Sequence, residues 1–530
     1  MKRFIYFACL NFALMPIISM AQDQSDALRY SQNSICGTAR FEAMGGAFGA
    51  VGGDLSSLAY NPAGIAVFTK NQLSISPGLT LQNTASTYGG LQNTNESQSF
   101  NIQNAGMVGT WKARKEDALW KSYNFGVSYN RMNNFNSNIT IVGYNSKSSL
   151  LDAFTEAANG TYYTQLDQFQ TGPAFNTWLL DTLSNTNASQ YYNLIHPYLS
   201  NGSGDEIQQT ESLNTIGSMG ETDISFGGDY NDKLFVGASV GIVDVFYNEN
   251  LSYSETPYNY TDSAFGLRNF TYNSTLSTRG EGVNFKIGFI YRIMDWLRIG
   301  GAIHTPTLLS LEDVYNTSIT ANFNPAPYTN YTGGSNQISS PQGVSDYTLT
   351  TPLRAIGGAS VIINKQGIIS ADYEYVDYSS ARLNSTNGSL PASVNQAIAQ
   401  DYMMASNLRF GFEWVLYPVS FRAGYAIYGN PYSTSAGNSS LRTTYSAGLG
   451  LKINNVFIDL AYTLMSYNEN YYLYTLSDAS LVSPVLNKTN VSNIILTLGV
   501  NFDHKQNRIQ RKERFRGYPP PPPPPPPPGG

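Results

Sequence analysis

Few side chains in this sequence could carry out catalysis. There are three histidines, His196, His304 and His504, and none lies in the His-Glu-x-x-His spacing that binds a catalytic zinc ion. A hydrolase would also need a histidine beside a nucleophile and a carboxylate. His304 ends a predicted strand with its side chain toward the interior, and we interpret it as a hydrogen-bonded structural residue.

The other reactive groups are equally sparse. Asp372, Glu374 and Asp377 lie together, but the sequence offers no second acidic cluster to oppose them. Cys9 lies in an N-terminal apolar run, so Cys36 alone remains in the mature chain, which excludes an internal disulfide and a cysteine metal cluster. We predict that the protein is not an enzyme, has no catalytic or metal-binding residues and uses no cofactor.

A glycine-rich stretch, MGGAFGAVGGDLSSLAYNPAG, covers residues 44–64. As a phosphate-binding loop it lacks a preceding strand and a following Gly-Lys-Ser/Thr. As a membrane helix it is too short and too rich in glycine. Glycine permits close packing and unusual turns. We therefore predict that residues 22–70 fold compactly inside another structure.

The N-terminus predicts export. Lys2 and Arg3 precede an apolar run over residues 4–18, and small residues occupy the positions that a signal peptidase reads. We predict a signal peptide at residues 1–21. Its removal takes away two positive charges and changes the net charge from −6 to −8, which argues against nucleic acid as a partner.

Beyond residue 21, apolar residues alternate with small or polar ones. In VNFKIGFIYRI, residues 283–293, one face carries only Val, Phe, Ile and Tyr, whereas the other carries Lys286 and Arg292. Such alternation is typical of strands. No stretch is long and apolar enough for a transmembrane helix. The charged residues must therefore point to one side of the sheet, which we take to be a lumen.

A soluble sandwich would alternate in the same way, but the connections favour a membrane barrel. Tight turns at 294–295 and 417–418 alternate with long connections at 248–278 and 305–351, as in outer-membrane barrels. We predict an all-β, transmembrane antiparallel β-barrel over residues 71–502 with both ends in the periplasm. Its about fourteen strands lie near residues 72–81, 99–111, 123–132, 222–230, 234–247, 279–293, 296–304, 352–363, 367–378, 407–416, 419–428, 445–453, 456–465 and 493–502.

ARFEAMGGAFGAVGGDLSSLAYNPAGIA resembles the N-terminal hatch of the FadL/OmpP1/TodX family of outer-membrane transporters, whose members carry a GGAF and a downstream NPAG in this order. DWLRIGGAIHTP, NLRFGFEW and FRAGYAIYGNP add to the resemblance. It implies a fourteen-stranded barrel with a hatch (plug) in its lumen, in the outer membrane of a Gram-negative bacterium. It also implies structural or gating roles for Gly45, Gly46, Ala47, Phe48, Asn61, Pro62, Ala63 and Gly64.

The same resemblance implies a passive, hatch-gated channel for hydrophobic small molecules such as long-chain fatty acids or aromatic hydrocarbons. Its expected partners are outer-membrane lipid and that hydrophobic ligand. One alternative stays open, a scaffold barrel for protein secretion or surface attachment. A general porin is a weaker alternative, because the predicted hatch would block it.

The long connection at residues 133–221 contains apolar residues at helical spacing. Two roles stay open for these predicted helices. They capture ligand above the barrel, or they pack on each other as a lid. The candidate capture residues are Leu150, Leu151, Phe154, Phe175, Trp178 and Leu179.

The end of the chain has two further features. The last predicted strand, which ends at Phe502, resembles the signal that the barrel-assembly machinery recognises. Residues 503–530 are basic and then contain ten consecutive prolines, which predict an extended polyproline II rod. We expect this tail in the periplasm, where it binds a periplasmic or cell-wall partner or serves as a plain spacer.

Overall fold

The computed structural model describes residues 23–502 apart from 35, 116, 185–186, 197–198, 200–204, 259–265, 324–333 and 386–391. The predicted signal peptide and the basic, proline-rich tail lie outside the described residues, as does His504. Six α-helices of the described part are α1 (Gln24–Ser31), α2 (Ala39–Ala43), α3 (Ser57–Tyr60), α4 (Leu150–Ala158), α5 (Thr171–Asn176) and α6 (Ala392–Asp401). None of the described helices is long and apolar enough to span a membrane.

The strands are numbered in chain order. They are β1 (Asn71–Tyr88), β2 (Leu91–Lys112), β3 (Trp120–Asn134), β4 (Ser137–Asn145), β5 (Leu180–Ser184), β6 (Asn187–Asn193), β7 (Glu206–Tyr230), β8 (Leu234–Tyr258), β9 (Leu267–Met294), β10 (Leu297–His304), β11 (Leu308–Phe323), β12 (Gly334–Ser339), β13 (Gly343–Thr350), β14 (Arg354–Ile363), β15 (Gly367–Asp377), β16 (Arg382–Ser385), β17 (Met404–Leu416), β18 (Val419–Tyr428), β19 (Arg442–Ile453), β20 (Val456–Tyr471) and β21 (Val485–Phe502).

Fourteen of these strands close into one antiparallel barrel, in the order β1, β2, β3, β7, β8, β9, β10, β14, β15, β17, β18, β19, β20 and β21. Strand β21 closes the ring on β1, with Phe502 opposite Asn71. Each of the fourteen predicted strands coincides with one of these, so the predicted barrel is confirmed. Both ends of the ring lie at one rim, which we call the periplasmic rim.

The predicted long connections at 248–278 and 305–351 are wrong in extent. Strands β8 and β9 keep pairing as far as Glu255 opposite Phe270, and β11 continues the pairing of β9 beyond the end of β10. These extensions are rich in Asn, Ser, Thr and Tyr, so they resemble solvated loops in sequence. Because their backbone groups still pair in a ladder, the barrel wall rises far above its apolar band.

The barrel is apolar outside and polar inside, as a lipid-embedded wall requires. On β9, Phe285, Ile287 and Phe289 are 44, 48 and 43 % exposed, whereas Lys286 between them is 2 % exposed. The Lys286 ammonium lies 2.6 Å from carboxylate oxygens of both Glu221 and Asp223. The predicted direction of the two faces is therefore confirmed.

The N-terminal segment, residues 23–70, packs against inward faces all around this ring. It comprises α1, α2, α3 and a 3₁₀ turn at Pro62–Val67. The Ala39 N–H donates to Thr497 Oγ1 of β21 (2.7 Å), and Asn124 Nδ2 of β3 donates to the Phe68 carbonyl (2.9 Å). The segment thus bridges distant parts of the wall and fills the lumen.

A second body closes the opposite rim. The external cap, formed by α4, α5, β5 and β6, packs over the far ends of β7, β8, β9 and β11. Ser149 caps the N-terminus of α4, and Glu255 of β8 accepts a hydrogen bond from the Leu150 N–H (2.8 Å). The wall therefore fixes the direction of α4, and the connection over residues 133–221 contains α4 and α5 together with strands β4, β5 and β6.

Candidate functional site inside the barrel

The NPAG residues form a tight joint between the segment and the wall. Asn61 is fully buried, and its Nδ2 donates to the carbonyl oxygens of Gly49 (2.7 Å) and Phe289 (3.2 Å). Its Oδ1 accepts from the Ala63 N–H (3.1 Å), which starts the 3₁₀ turn with Pro62 in its first position. An asparagine supplies donor and acceptor at once, so this one side chain connects two parts of the segment to β9.

The last residue of the motif, Gly64, is required for close packing. A Cβ at Gly64 would lie 2.4 Å from Ser57 Oγ. Its N–H donates to the Asn61 carbonyl (2.9 Å), and its own carbonyl accepts from Gly53 (3.0 Å). The second half of the glycine-rich stretch therefore folds back on the first.

The GGAF residues make a second joint. Gly45 and Gly46 have φ of 62° and 72°, values that favour glycine. A Cβ at Gly45 would lie 3.0 Å from backbone atoms of β17 and β18, so the chain passes against the wall here. Ala47 and Phe48 are fully buried, and the Phe48 ring lies 5.2 Å from that of Phe41.

Two clusters of paired charges anchor the segment. In the first, Glu374 of β15 accepts from Arg354 of β14 and Arg409 of β17, each at 2.6 Å. Arg409 also donates to the Tyr60 hydroxyl (2.8 Å), and Arg354 donates to the Ser31 carbonyl. Both arginines therefore hold the wall and the segment together.

The second cluster lies nearer α2. Glu413 of β17 accepts from Arg40 of α2 (2.7 Å) and from Arg422 of β18 (2.8 Å), and Arg422 also donates to Asp459 of β20 (2.6 Å). Separating buried charges that are paired and hydrogen-bonded is costly. An apolar molecule could not replace these contacts, so the central axis of the barrel is closed to it.

Two of the three clustered carboxylates take part in such contacts. Asp372 accepts from the Gly49 N–H (2.6 Å), and Glu374 binds the two arginines. Asp377 accepts from the Ser379 N–H (3.1 Å) at the end of β15. His304 is buried with Nε2 2.8 Å from the Tyr60 carbonyl oxygen, so its interpretation as a structural residue is confirmed.

The carboxyl group of Glu42 in α2 has a raised pKa. Burial raises the pKa of Glu42 in α2 from its ordinary 4.5 to about 7, although the hydrogen bond from the Gly37 N–H and the charge of Arg409 act in the opposite direction. The Gly37 N–H donates to Glu42 Oε1 at 2.9 Å. Docking of α2 therefore depends on whether this carboxyl carries a proton.

Above the paired charges, α1 lies in a buried apolar cluster of the lumen, which we call the upper apolar cluster. Helix α1 begins with a capping box at Asp23 and Asp26, and it contributes Leu28 and Tyr30. The wall contributes side chains from many strands. Members of the cluster include Leu28, Met132, Val245, Leu311, Leu349 and Ile398.

The wall itself has a discontinuity, which we call the seam. The ladder between β2 and β3 ends at Asn104 opposite Asn130, although β2 continues toward the external rim. In the described part of the chain, no backbone ladder joins that upper half of β2 to β3 or β4. Side chains of β2 bridge the gap instead: Ser99 Oγ accepts from Asn134 Nδ2 (3.0 Å), and Asn95 Oδ1 accepts from the Thr140 N–H (2.9 Å).

The N-terminal segment covers the edge of β3 that β2 leaves free. The Ser34 N–H donates to the Met132 carbonyl, and the Cys36 N–H donates to the Arg131 carbonyl, each at 2.9 Å. The pairing of β3 with β7 also shifts register between Arg131 and Asn133. The segment therefore supplies two backbone hydrogen bonds to β3 just beyond the end of its ladder with β2, in the manner of an added strand.

The candidate capture residues divide into two groups. Leu151, Phe154 and Leu179 are 0, 3 and 0 % exposed in the core of the external cap, and Leu150 and Phe175 also pack there. Trp178 differs, since it is 54 % exposed and has a φ of 65°. Five of the six candidates thus pack inside the external cap, and Trp178 is half open to solvent.

The sequence contains no clear signal for the partners of the buried charges or for the seam. The inward phase of Arg422 and Lys286 was visible in the alternation, but their partners lie on other strands. Arg40 and Glu413 are 373 residues apart in the chain. The break between β2 and β3 has no separate sequence signal except Pro77, next to which the β1–β2 register shifts.

These features define the class of the protein: an outer-membrane β-barrel of fourteen strands whose lumen is filled by its own N-terminal segment. Among solved structures, the fold is similar to that of the Pseudomonas putida toluene transporter TodX, with 13 % identity, a TM-score of 0.50, and 88 % of this chain and 99 % of that chain covered. It is also similar to a Pseudomonas aeruginosa FadL homologue, with 14 % identity, a TM-score of 0.52 and the same coverage.

No protein-family model and no curated protein sequence matches the chain. At such low identity, the structural similarity establishes the fold. The chain thus has the architecture that the GGAF and NPAG residues led us to expect, and its function has to be argued from its own site.

Proposed function

We propose that the protein is a passive channel that carries hydrophobic small molecules into the outer membrane and releases them sideways through the seam. The observation that supports this most directly is that Ser34 and Cys36 pair with the backbone of β3 beside the seam, where the ladder with β2 has ended. A wall completed by a removable segment can open without breaking the barrel ladder. The predicted hatch residues would then hold the segment in its closed position.

The surroundings of the seam suit an apolar molecule on both sides. On the outer surface, Phe100 and Met107 of β2 are 73 and 58 % exposed and flank the end of the ladder. On the inner side, Met132 belongs to the upper apolar cluster. A molecule leaving that cluster beside Met132 would therefore meet lipid without passing the paired charges below.

A polar-solute porin fits these features less well, because paired charges and the segment occupy the axis. One structurally similar protein is a toluene transporter. Aromatic hydrocarbons are therefore the first substrates to test. Long-chain fatty acids are the second class. A scaffold role for secretion or attachment would require neither an opening seam nor uptake.

A reversible cross-link tests the proposal. Cys36 is the single cysteine outside the predicted signal peptide, and its N–H donates to the Arg131 carbonyl at 2.9 Å, so the two residues are neighbours. In an Arg131→Cys variant, oxidation should tie the segment to β3. We expect uptake of radiolabelled toluene by intact cells to fall about tenfold, the equivalent of about 1.4 kcal/mol, and to recover with a reductant.

The matched control carries Arg131→Cys together with Cys36→Ser, so that it cannot form the bond. Oxidation should leave its uptake unchanged. Labelled oleate is measured in parallel to cover the second class. If the cross-linked protein takes up both probes as fast as its reduced form, lateral release through the seam is wrong. If cells with and without the protein do not differ, the channel function itself is wrong.

A further inference from the structure

The upper apolar cluster has a polar corner. Asp313 of β11 is fully buried, and its Oδ1 accepts from Thr278 Oγ1 (2.6 Å). Its Oδ2 is buried without a hydrogen-bond partner. A buried acceptor that lacks a donor is unfavourable, so this corner would be stabilised by a molecule that brings a hydroxyl.

The side chain that α1 inserts into this cluster is itself a phenol. Tyr30 is fully buried, with its ring edge-on to Phe135 at 5.9 Å and to Tyr247 at 6.5 Å. Its hydroxyl has no hydrogen-bond partner. The cluster thus already accommodates a para-substituted phenol ring between aromatic side chains, although the hydroxyl does not reach the free oxygen of Asp313.

The charges near this corner disfavour a carboxylate. Arg29 is paired with Asp26 of the same helix and lies 4.4 Å from the centre of the Tyr247 ring. If α1 stays in place, the Arg29 guanidinium is already paired with Asp26 and is not available to a carboxylate ligand. If α1 leaves, Arg29 and Asp26 leave together, so an anionic ligand beside the buried Asp313 carboxyl would no longer have that cation near it, which is unfavourable for a buried charge.

We infer that the upper apolar cluster binds a neutral, para-alkylated phenol in place of Tyr30, with the phenol hydroxyl donating to Asp313 Oδ2. The alkyl chain would lie among the apolar side chains that Leu28 now contacts. This inference rests on the proposed channel function and names its substrate class. It separates phenols from two relatives of equal length, the hydrocarbon without a hydroxyl and the carboxylate.

Isothermal titration calorimetry on the purified, detergent-solubilised full chain at neutral pH tests the inference with 4-hexylphenol, hexylbenzene and 4-hexylbenzoate. We expect 4-hexylphenol to bind about tenfold more tightly than hexylbenzene, as one hydrogen bond to a buried acceptor that otherwise lacks a donor would give, and 4-hexylbenzoate to bind most weakly. Tyr30→Ala, which vacates the ring position, should tighten binding of 4-hexylphenol. Tyr30→Phe is its matched control and should not.

Asp313→Leu should bring the affinities of 4-hexylphenol and hexylbenzene together, and Glu312→Leu, on the outward face of the same strand, should preserve their difference. Heat-modifiable migration on a gel checks that each variant barrel is folded, and Asp313→Asn replaces Asp313→Leu if it is not. The inference is overturned if 4-hexylbenzoate binds as tightly as 4-hexylphenol, or if the Asp313 variant keeps the full preference for the phenol. If none of the three compounds binds, the inference is overturned, whereas the proposed channel function is decided separately by the uptake of toluene and oleate.

Discussion

Asn61 of the N-terminal segment donates a hydrogen bond from Nδ2 to the carbonyl oxygen of Phe289 in β9, 3.2 Å away. The same nitrogen donates to the Gly49 carbonyl at 2.7 Å. One asparagine therefore holds the two halves of the glycine-rich stretch together and attaches both to the wall. This places the NPAG residues at the attachment of the segment rather than at a surface that contacts a ligand.

Asn61→Ala should loosen the segment and leave the barrel intact. The change leaves the buried Gly49 carbonyl without this donor, at a cost of about 1–3 kcal/mol. We expect trypsin to cut faster after Arg40 in α2, while heat-modifiable gel migration of the barrel is unchanged. Asn83→Ala is the control, since that side chain contacts Glu96 at an exposed site. Equal cleavage rates in the two variants would contradict the attachment role.

The close approach of the segment to the wall can be tested at two glycines of neighbouring strands. A Cβ at Gly300 of β10 would lie 2.0 Å from the Gly49 carbonyl oxygen, whereas a Cβ at Gly357 of β14 meets nothing within 4 Å. Gly300→Ala should therefore displace the segment, and Gly357→Ala should not. Entry of a small polar dye into the periplasm should rise several-fold only for Gly300→Ala. Tight closure in both variants would show that the Gly49 contact does not seal the lumen.

Docking of α2 should weaken as the pH rises. The carboxyl of Glu42 has a pKa of about 7 when docked and of 4.5 when released, so docking is most stable below 4.5 and loses stability up to about 7. The loss is at most about 3 kcal/mol. Hydrogen exchange of residues 39–43 should therefore be faster at pH 8 than at pH 5 after correction for intrinsic rates.

Glu42→Gln should remove this pH dependence, because an amide does not titrate. Glu96→Gln, at an exposed position on β2, should leave it unchanged. A corrected exchange rate that is the same at both pH values in the unaltered protein would show that Glu42 is not shifted.

The barrel could be predicted from the sequence because lipid imposes a strict period of two. Phe285, Lys286 and Ile287 show both faces within three residues. The same rule explains why the strand extensions above the lipid could not be predicted. Above the apolar band the outer face also becomes polar, so the extension of β8 and β9 beyond Tyr247 and Thr278 has the composition of a loop.

The site could be predicted only where backbone geometry demands particular residues. Gly45, Gly46 and Asn61 are recognisable because a positive φ, a close approach and a buried donor–acceptor pair leave few substitutes. The partners of Arg40 and Arg409 could not be found, because any inward charge on any strand could have matched them. The seam is a place where backbone pairing between strands is absent. Such an absence requires no particular residue type, so the sequence does not reveal it.

The external cap offers neighbouring residues that separate capture from packing. Leu179 is fully buried, and Leu179→Ala should destabilise the cap by about 2–5 kcal/mol through the cavity it leaves. Trp178 is 54 % exposed, so Trp178→Ala should leave the cap folded, with its protease resistance unchanged. If the cap captures ligand, Trp178→Ala should still lower the initial rate of toluene uptake severalfold. If uptake falls only in Leu179→Ala, alongside loss of protease resistance, the helices serve as a lid and the capture role of Trp178 is wrong.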